Sequence, residues 1–264
     1  MKLLVTASAV ALAACVTVAS ASTRPDSHAP ISVMGEHIHN KGELMFSYRY
    51  MHMSMQGNRR GSSDISANEI VTTIPNRFAN PPTMPPTLRV VPTEMTMAMH
   101  MAGVLYAPSD SVTLMAMLNY TDKEMDHVTF AGPMGTNRLG KFTTKTRGIG
   151  DTAVSALVRI PTSGSQQWHA TLGISLPTGS VDETDTILTP MNSKPTVRLP
   201  YPMQLGSGTY DLITGLTYTD HSGAWGWGGQ WRSVSRLGEN DEHYSRGDEH
   251  RLQGWISYLA NESL

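Results

Sequence analysis

The chain has 264 residues, of which 39% are hydrophobic and 16% charged, and its formal net charge is −2. This near-neutral balance, without a basic run, excludes an electrostatic case for nucleic-acid binding. Cys15 is the only cysteine, so an intramolecular disulfide framework is excluded as well.

The N-terminal sequence predicts a secretory signal peptide over residues 1–21. Lys2 supplies the positive charge, an apolar run follows, and Ala19-Ser20-Ala21 fits the small-x-small cleavage pattern. Leu12 to Cys15 also matches a lipobox, so a lipidated Cys15 is the alternative. Residues 22–42 are then predicted to form an N-terminal periplasmic segment.

The stretch Glu43–Met55 alternates in the way that strands do. One face carries Leu44, Phe46, Tyr48 and Tyr50, and the other carries Arg49 among methionines. Successive side chains of a strand point to opposite faces, so one aromatic-apolar face and one mixed face are predicted.

Seven further strands are predicted, at residues 93–106, 112–120, 144–160, 168–176, 209–218, 224–234 and 249–259. The connections between them alternate between long and short until the last, which is of medium length. That rhythm is typical of an antiparallel transmembrane β-barrel, which has long loops at one end and short turns at the other. The prediction is therefore an all-β barrel over residues 43–264 with at least eight strands; a soluble β-sandwich is the alternative.

Three patches at strand boundaries carry a family resemblance: Gly148–Asp151, Leu176–Ser180 and Leu199–Thr209. Together they resemble the bacterial outer-membrane transporter-like proteins named for the phenol meta-degradation pathway, and the Met- and His-rich front resembles one branch of that family. The resemblance implies an outer-membrane barrel without catalytic residues. Members of this kind usually continue further, so the chain is expected to be divergent or truncated from a larger barrel.

Parity along the strands predicts which side chains line the lumen. The face opposite the aromatic residues of Glu43–Met55 is assigned to the interior, and the regular run Met95, Met97, Met99 and Met101 is assigned to lipid. The predicted lumen residues are Arg49, Met51, Met53, Met55, Met115, Met117, Asn119, Asp151, Ser155, Arg159, His169, Asp211, Gln230 and Arg232.

A metal site is a second possibility, because thioethers suit Cu(I) and imidazoles suit copper or zinc. Its candidate ligands are Met51, Met53, Met55, His37 and His39. The competing interpretation is that methionine fills wall positions flexibly.

An enzyme is not predicted, since no motif supports a triad of Ser155, His169 and Asp151. The leading hypothesis is an outer-membrane channel or transporter, without a cofactor, that contacts membrane lipid and passes small apolar or aromatic solutes. The alternatives are a copper- or silver-binding envelope protein and a structural barrel that does not conduct.

Overall fold

The computed structural model describes residues 29–80 and 84–259. The predicted signal peptide, with Cys15 and the cleavage site, lies outside the described residues, as do residues 260–264.

The described chain is built almost entirely from antiparallel strands. Its elements are β1 (Leu44–Gln56), β2 (Asn58–Arg60), β3 (Ser63–Ile65), α1 (Ala67–Thr73), β4 (Val90–Ser109), β5 (Val112–Phe130), β6 (Arg138–Ile149), β7 (Thr152–Ile160), β8 (Gln167–Leu176), β9 (Thr184–Thr186), β10 (Thr196–Arg198), a 3-10 turn (Tyr201–Met203), β11 (Asp211–Ser222), β12 (Trp225–Arg236) and β13 (Glu249–Tyr258).

One nine-stranded sheet, curled into a half-barrel, organises the molecule. Its strands follow the order β1-β4-β5-β7-β8-β11-β12-β13, and β6 pairs with the far part of β5. The prediction of an all-β antiparallel barrel architecture is confirmed. Among the described residues, the outer edges of β1 and β13 have no neighbouring strand.

The predicted strand at 144–160 is two strands, β6 and β7, which follow one another along β5. Tyr120 pairs with Ile149 and Met117 with Ala153, so two residues of β5 face three residues on the other side. This extra residue is a β-bulge at Gly150–Asp151, and it reverses which parity points inward. The prediction of one continuous strand was wrong because alternation looks regular on each side of a bulge.

Two further differences from the sequence prediction concern β5 and α1. Strand β5 runs ten residues past its predicted end. The prediction ended the strand too early because the outward residues of that part are charged and resemble a loop. The short helix α1 was not predicted. Ser66 caps it by accepting a hydrogen bond from the Glu69 amide at 3.2 Å, and its buried Ile70 and Val71 join an apolar cluster with Phe130.

The two faces of the sheet differ sharply in exposure. On the outer face large apolar side chains are open, including Phe46 (73% exposed) and Leu252 (84%). On the inner face the buried residues form clusters wherever other parts of the chain cover them. Leu105, Met115 and Leu157 pack with Ile38, whereas Met125 packs with Leu199 and Met203.

The two ends of the half-barrel are also distinct. The turns β4–β5, β7–β8 and β11–β12 are short and lie at one end, called here the short-turn end. The connections β1–β4, β5–β6, β8–β11 and β12–β13 lie at the other, the long-loop end. Residues 177–210 form the loop that matters most for the interior.

Candidate functional site

The covered inner face of the half-barrel is the candidate site, and the residues predicted to line a lumen lie on it. Cross-strand register places Arg49 opposite Met101, Met115 opposite Ser155, and His169 opposite both Arg159 and Thr217. Thirteen of the fourteen residues share this face: Arg49, Met51, Met53, Met55, Met115, Met117, Asn119, Ser155, Arg159, His169, Asp211, Gln230 and Arg232. The remaining one, Asp151, sits in the bulge.

Residues 29–40, the N-terminal strap, cross this inner face from one side of the half-barrel to the other. Arg49 on β1 donates to the Ile31 and Val33 carbonyl oxygens at 2.8 and 3.0 Å. On the opposite wall, Gln230 donates to the Met34 oxygen and the His169 ring nitrogen lies 2.9 Å from the Gly35 oxygen. The strap therefore occupies the concavity, and Val33 is only 2% exposed.

The strap is anchored at the short-turn end by His39. Its amide donates to the Thr113 hydroxyl at 2.9 Å, and its Nδ1 lies 3.3 Å from a Glu43 carboxylate oxygen. Burial lowers the pKa of the His39 imidazole, nearby His37 lowers it further, and Glu43 opposes both. Hydrogen bonds from Asn40 lower the pKa of Glu43, so its carboxylate stays charged.

The three sequence patches that carried the family resemblance meet at Asp151. One carboxylate oxygen accepts from the Gly179 amide at 3.0 Å, and the other accepts from the Ser207 amide at 2.6 Å. A Cβ on Gly179 would lie 2.7 Å from the Gly206 Cα, so only glycine allows the two loop segments to approach this closely. Asp151, predicted as a lumen residue, thus holds the 177–210 loop against the bulge.

That loop folds inward at the long-loop end. Lys123, on the inner face of β5, donates to the carbonyl oxygens of Pro202 and Gln204 at 2.9 and 2.6 Å. The buried Gln204 in turn donates to the Leu199 oxygen at 2.7 Å and accepts from the Glu183 amide at 2.8 Å. Neither residue was predicted. The alternation of Thr121, Lys123 and Met125 along an extended β5 is the signal that could have shown Lys123.

Asp211 is fully buried at the start of β11. It accepts from the Ser207 and Thr209 hydroxyls at 3.1 and 2.6 Å and forms an ion pair with Arg236. Arg236 also pairs with Glu249 at 2.7 Å. Arg232, four residues earlier on the same face, stands opposite Arg251 of β13.

The methionines of β1 and β4 share one face, which corrects the sequence prediction. Met51 is opposite Met99, Met53 opposite Met97, and Met55 opposite Met95. Residues directly opposite in an antiparallel pair point the same way, so the β4 run faces inward and not to lipid.

The physical reason for that error lies in the other face of β4. Glu94, Thr96 and His100 suggested a polar interior face, but their positions lie towards the long-loop end. Further along the same face Val104 and Tyr106 are outward and exposed.

His37 and His39, proposed as additional metal ligands, lie edge to face with ring centroids 4.6 Å apart. Each ring lies 3.3 Å from a carboxylate, Glu36 for His37 and Glu43 for His39. Within residues 29–80 and 84–259, no group of three or more His, Cys, Asp or Glu side chains is placed to hold a metal ion.

Ser155, His169 and Asp151, considered as a catalytic triad in the sequence analysis, do not come together in the structure. His169 stands opposite Arg159, four residues along β7 from Ser155, a separation of roughly 13 Å at the rise of a strand. Both Asp151 carboxylate oxygens are engaged by loop amides.

No protein-family model, curated protein or solved structure matches this chain. In the part of the chain that the structure describes, no helix has the length and apolar character to cross a membrane.

Proposed function

We propose that this protein is an outer-membrane β-barrel that passes small apolar or aromatic solutes, with its interior closed at rest by the N-terminal strap. The proposal joins the predicted signal peptide to the two faces of the sheet. The outer face meets lipid, and the inner face forms a path partly lined by thioethers.

The observation that carries the proposal is a band of open apolar side chains on the outer face. On β5, Leu114, Leu118 and Tyr120 are exposed, and the next outward residues are Asp122, Glu124 and Asp126. The apolar part spans roughly 20 Å along the strand, and because barrel strands are tilted it covers part of the ~25 Å apolar band of outer-membrane barrels. A water-soluble sheet would lose stability and solubility by exposing such a band.

The free edges of β1 and β13 bear on how the wall is closed. Unpaired backbone groups cannot remain in hydrocarbon, so both edges must be paired in a membrane. Eight strands enclose an interior just wide enough for side chains. The described sheet has eight strands side by side, since β6 and β7 follow one another along β5. Because the strap places a length of backbone in the concavity, we infer that the closed wall is wider than eight strands.

Localisation and conduction test the proposal together. We expect the protein in the outer-membrane fraction, with migration on a gel that changes on heating. In vesicles, uptake of a small aromatic solute should be slow for the wild type and faster for Arg49→Leu/Gln230→Leu, which releases the strap. A soluble periplasmic protein would contradict the proposal, and a membrane barrel that never conducts in either form would identify a structural role.

A second candidate function is binding of Cu(I) or Ag(I) by the inner methionines, which the paired register favours. Directly opposite residues have Cα atoms about 4.5–5.5 Å apart, so Met51, Met53, Met97 and Met99 form one compact patch of thioethers. These four are half-buried and belong to none of the three buried apolar clusters, unlike Met115, Met125 and Met203. Part of each side chain therefore stays accessible on the inner face.

Leucine substitution separates this candidate from the channel. In Met51→Leu/Met53→Leu/Met97→Leu/Met99→Leu the wall stays apolar and of similar volume, so solute uptake should persist while Cu(I) affinity, measured against a chromophoric chelator, falls by at least about 100-fold. The control replaces Met84, Met134 and Met191, which are exposed in loops, by leucine. Equal Cu(I) affinity in both variants would remove the methionine patch from consideration.

A further inference from the structure

We propose that a cavity at the long-loop end binds small anions that carry a carboxylate on an apolar body. The cavity has a volume of about 660 Å³ and lies between the 177–210 loop and the β12–β13 connection. Arg198, Arg236 and Arg246 line it together with Tyr201, Leu199 and Tyr244.

Three residues that line this cavity hold buried polar atoms without a hydrogen-bond partner. The Nε atoms of Arg236 and Arg246 and the hydroxyl of Tyr244 are buried, and none has a hydrogen-bond partner within the described residues. Only two other buried side-chain atoms in that part of the chain share this condition, one in His39 and one in His127. A buried polar group without a partner costs about 1–3 kcal/mol, so the walls of this cavity hold hydrogen-bonding capacity that the described residues leave unused.

The charges around the cavity favour an anion. Arg236 is balanced by Asp211 and Glu249, and Arg198 by Glu242. Arg246 differs, since it donates hydrogen bonds to the carbonyl oxygens of Tyr201 and Gln204, both at 3.2 Å. No carboxylate of the described residues pairs with its guanidinium, which leaves a positive charge beside the cavity.

The position of Arg246 is fixed from both sides. The Gln204 oxygen that it contacts also accepts from Lys123 at 2.6 Å, so a second cation lies next to the guanidinium. The segment that carries Arg246 is held by Asn240, whose amide donates to the Tyr244 oxygen at 3.0 Å and whose side chain donates to the Ser207 oxygen at 2.9 Å. The donors are therefore held in place before a ligand arrives.

The remaining walls define the body of the ligand. Val181, Leu199, Pro200 and the Tyr201 ring supply apolar surface, and Leu199 is itself buried. A planar guanidinium binds a carboxylate or phosphate with two parallel hydrogen bonds, and an aromatic or aliphatic body fits the apolar wall. The class is thus a small amphiphilic anion. Binding at this end does not require the interior to conduct.

Calorimetric titration of the full-length protein in detergent tests the site with three probes that share one ring: benzoate, phenyl phosphate and benzamide. Benzoate should bind at least about 10-fold more tightly than the neutral benzamide, because only the anion satisfies the donors. Tighter binding of phenyl phosphate than of benzoate would reassign the headgroup to phosphate.

The variants identify the residues. Arg246→Gln should weaken benzoate binding by about 10- to 100-fold, and Arg246→Lys, which keeps the charge but loses the planar fork, should fall between that variant and the wild type. Tyr244→Phe should weaken benzoate binding by a few-fold. The control is Arg59→Gln, at an exposed arginine that does not line the cavity, and it should leave benzoate binding unchanged. Heat-modifiable migration verifies folding of each variant.

Equal binding of benzoate and benzamide would overturn the proposal. So would unchanged benzoate affinity in a folded Arg246→Gln protein. Either result leaves the proposed passage of solutes untouched, because uptake in vesicles is measured separately.

Discussion

The inner face of the half-barrel has two walls of different chemistry behind one kind of outer surface. The methionine wall, on β1 and β4, carries the half-buried thioethers of Met51, Met53, Met97 and Met99. The polar wall, on β8, β11 and β12, carries Thr171, Thr217 and Gln230, all buried, with Gln230 donating to both Thr217 and the strap. Both walls expose large apolar side chains on the outer face, such as Phe46 and Leu172, so the difference between the walls lies in what their inner faces contact.

The two walls therefore differ in how much their side chains contribute to stability. On the polar wall almost every group has a partner, and changing one leaves another buried without its match. On the methionine wall we expect exchange of the half-buried methionines for other apolar residues to cost little. Arg49 on that wall holds the strap by hydrogen bonds, and Leu105 packs against its Ile38.

The largest expected effect is at Asp211, where the polar wall ends. Asp211→Ala leaves the Arg236 guanidinium buried beside two unmatched hydroxyls, and we expect it to lower the free energy of unfolding by about 3–5 kcal/mol. Urea unfolding followed by tryptophan fluorescence measures it. Glu249→Ala removes the more exposed partner of the same arginine and should cost much less; equal losses would show that burial does not govern the pair.

A smaller effect is expected when the strap is released from one wall at a time. Arg49→Leu removes charge-assisted hydrogen bonds worth about 1.5–3 kcal/mol each, whereas Gln230→Leu removes a neutral one worth about 1 kcal/mol. Protease cleavage within residues 29–40 should therefore rise more in Arg49→Leu. A greater rise in Gln230→Leu would place the main anchor on the polar wall.

Acid should loosen the strap through His39. Its folded-state pKa lies below the ordinary value of 6.5, so the folded state disfavours protonation. The strap is then fully held above pH 6.5, and its attachment weakens as the pH falls below that value. Glu36, Glu43 and His37 surround the ring, and Glu43 keeps its charge over this range.

Protease access to the strap between pH 7.5 and 5.5 measures this dependence. His39→Gln should flatten this pH dependence in part. It should not remove it entirely, because His169 also contacts the strap. An unchanged profile in His39→Gln would show that the imidazole does not control the attachment.

The smallest effect is expected on the methionine wall. Exchanging any one of Met51, Met53, Met97 and Met99 for leucine conserves volume, so the free energy of unfolding should change by less than about 1.5 kcal/mol. A large loss in thermal scanning would mean that these thioethers are packed core after all.

The alternation of side chains within a strand was the most reliable sequence signal for strand positions and faces. It located β1 and β8 almost to the residue and placed Arg49, His169 and Gln230 on one face. It failed where faces had to be compared between strands, because the register that aligns Met97 with Met53 depends on pairing across a long loop. It also missed the bulge at Gly150–Asp151, which only cross-strand pairing reveals.

The side-chain arrangement at the long-loop end could not be predicted from the sequence, for a different reason. Arg246, Tyr244 and Lys123 come together through loop conformations that no periodicity encodes. The motif patches around Asp151 were visible as patches, but their joint role appeared only when the carboxylate was seen to hold two loop amides.

The central claim is that one face of this sheet meets lipid and the other does not, and labelling of neighbouring residues tests it most directly. With Cys15 replaced by serine, single cysteines are placed at outward Phe46, Leu118 and Leu172 and at inward Ser47, Met117 and Thr171. Each is labelled with a fluorophore, and the protein is reconstituted in vesicles that contain brominated lipid. We predict strong quenching at the first three positions and little at their immediate neighbours; equal quenching at both sets, or none at either, would contradict the account.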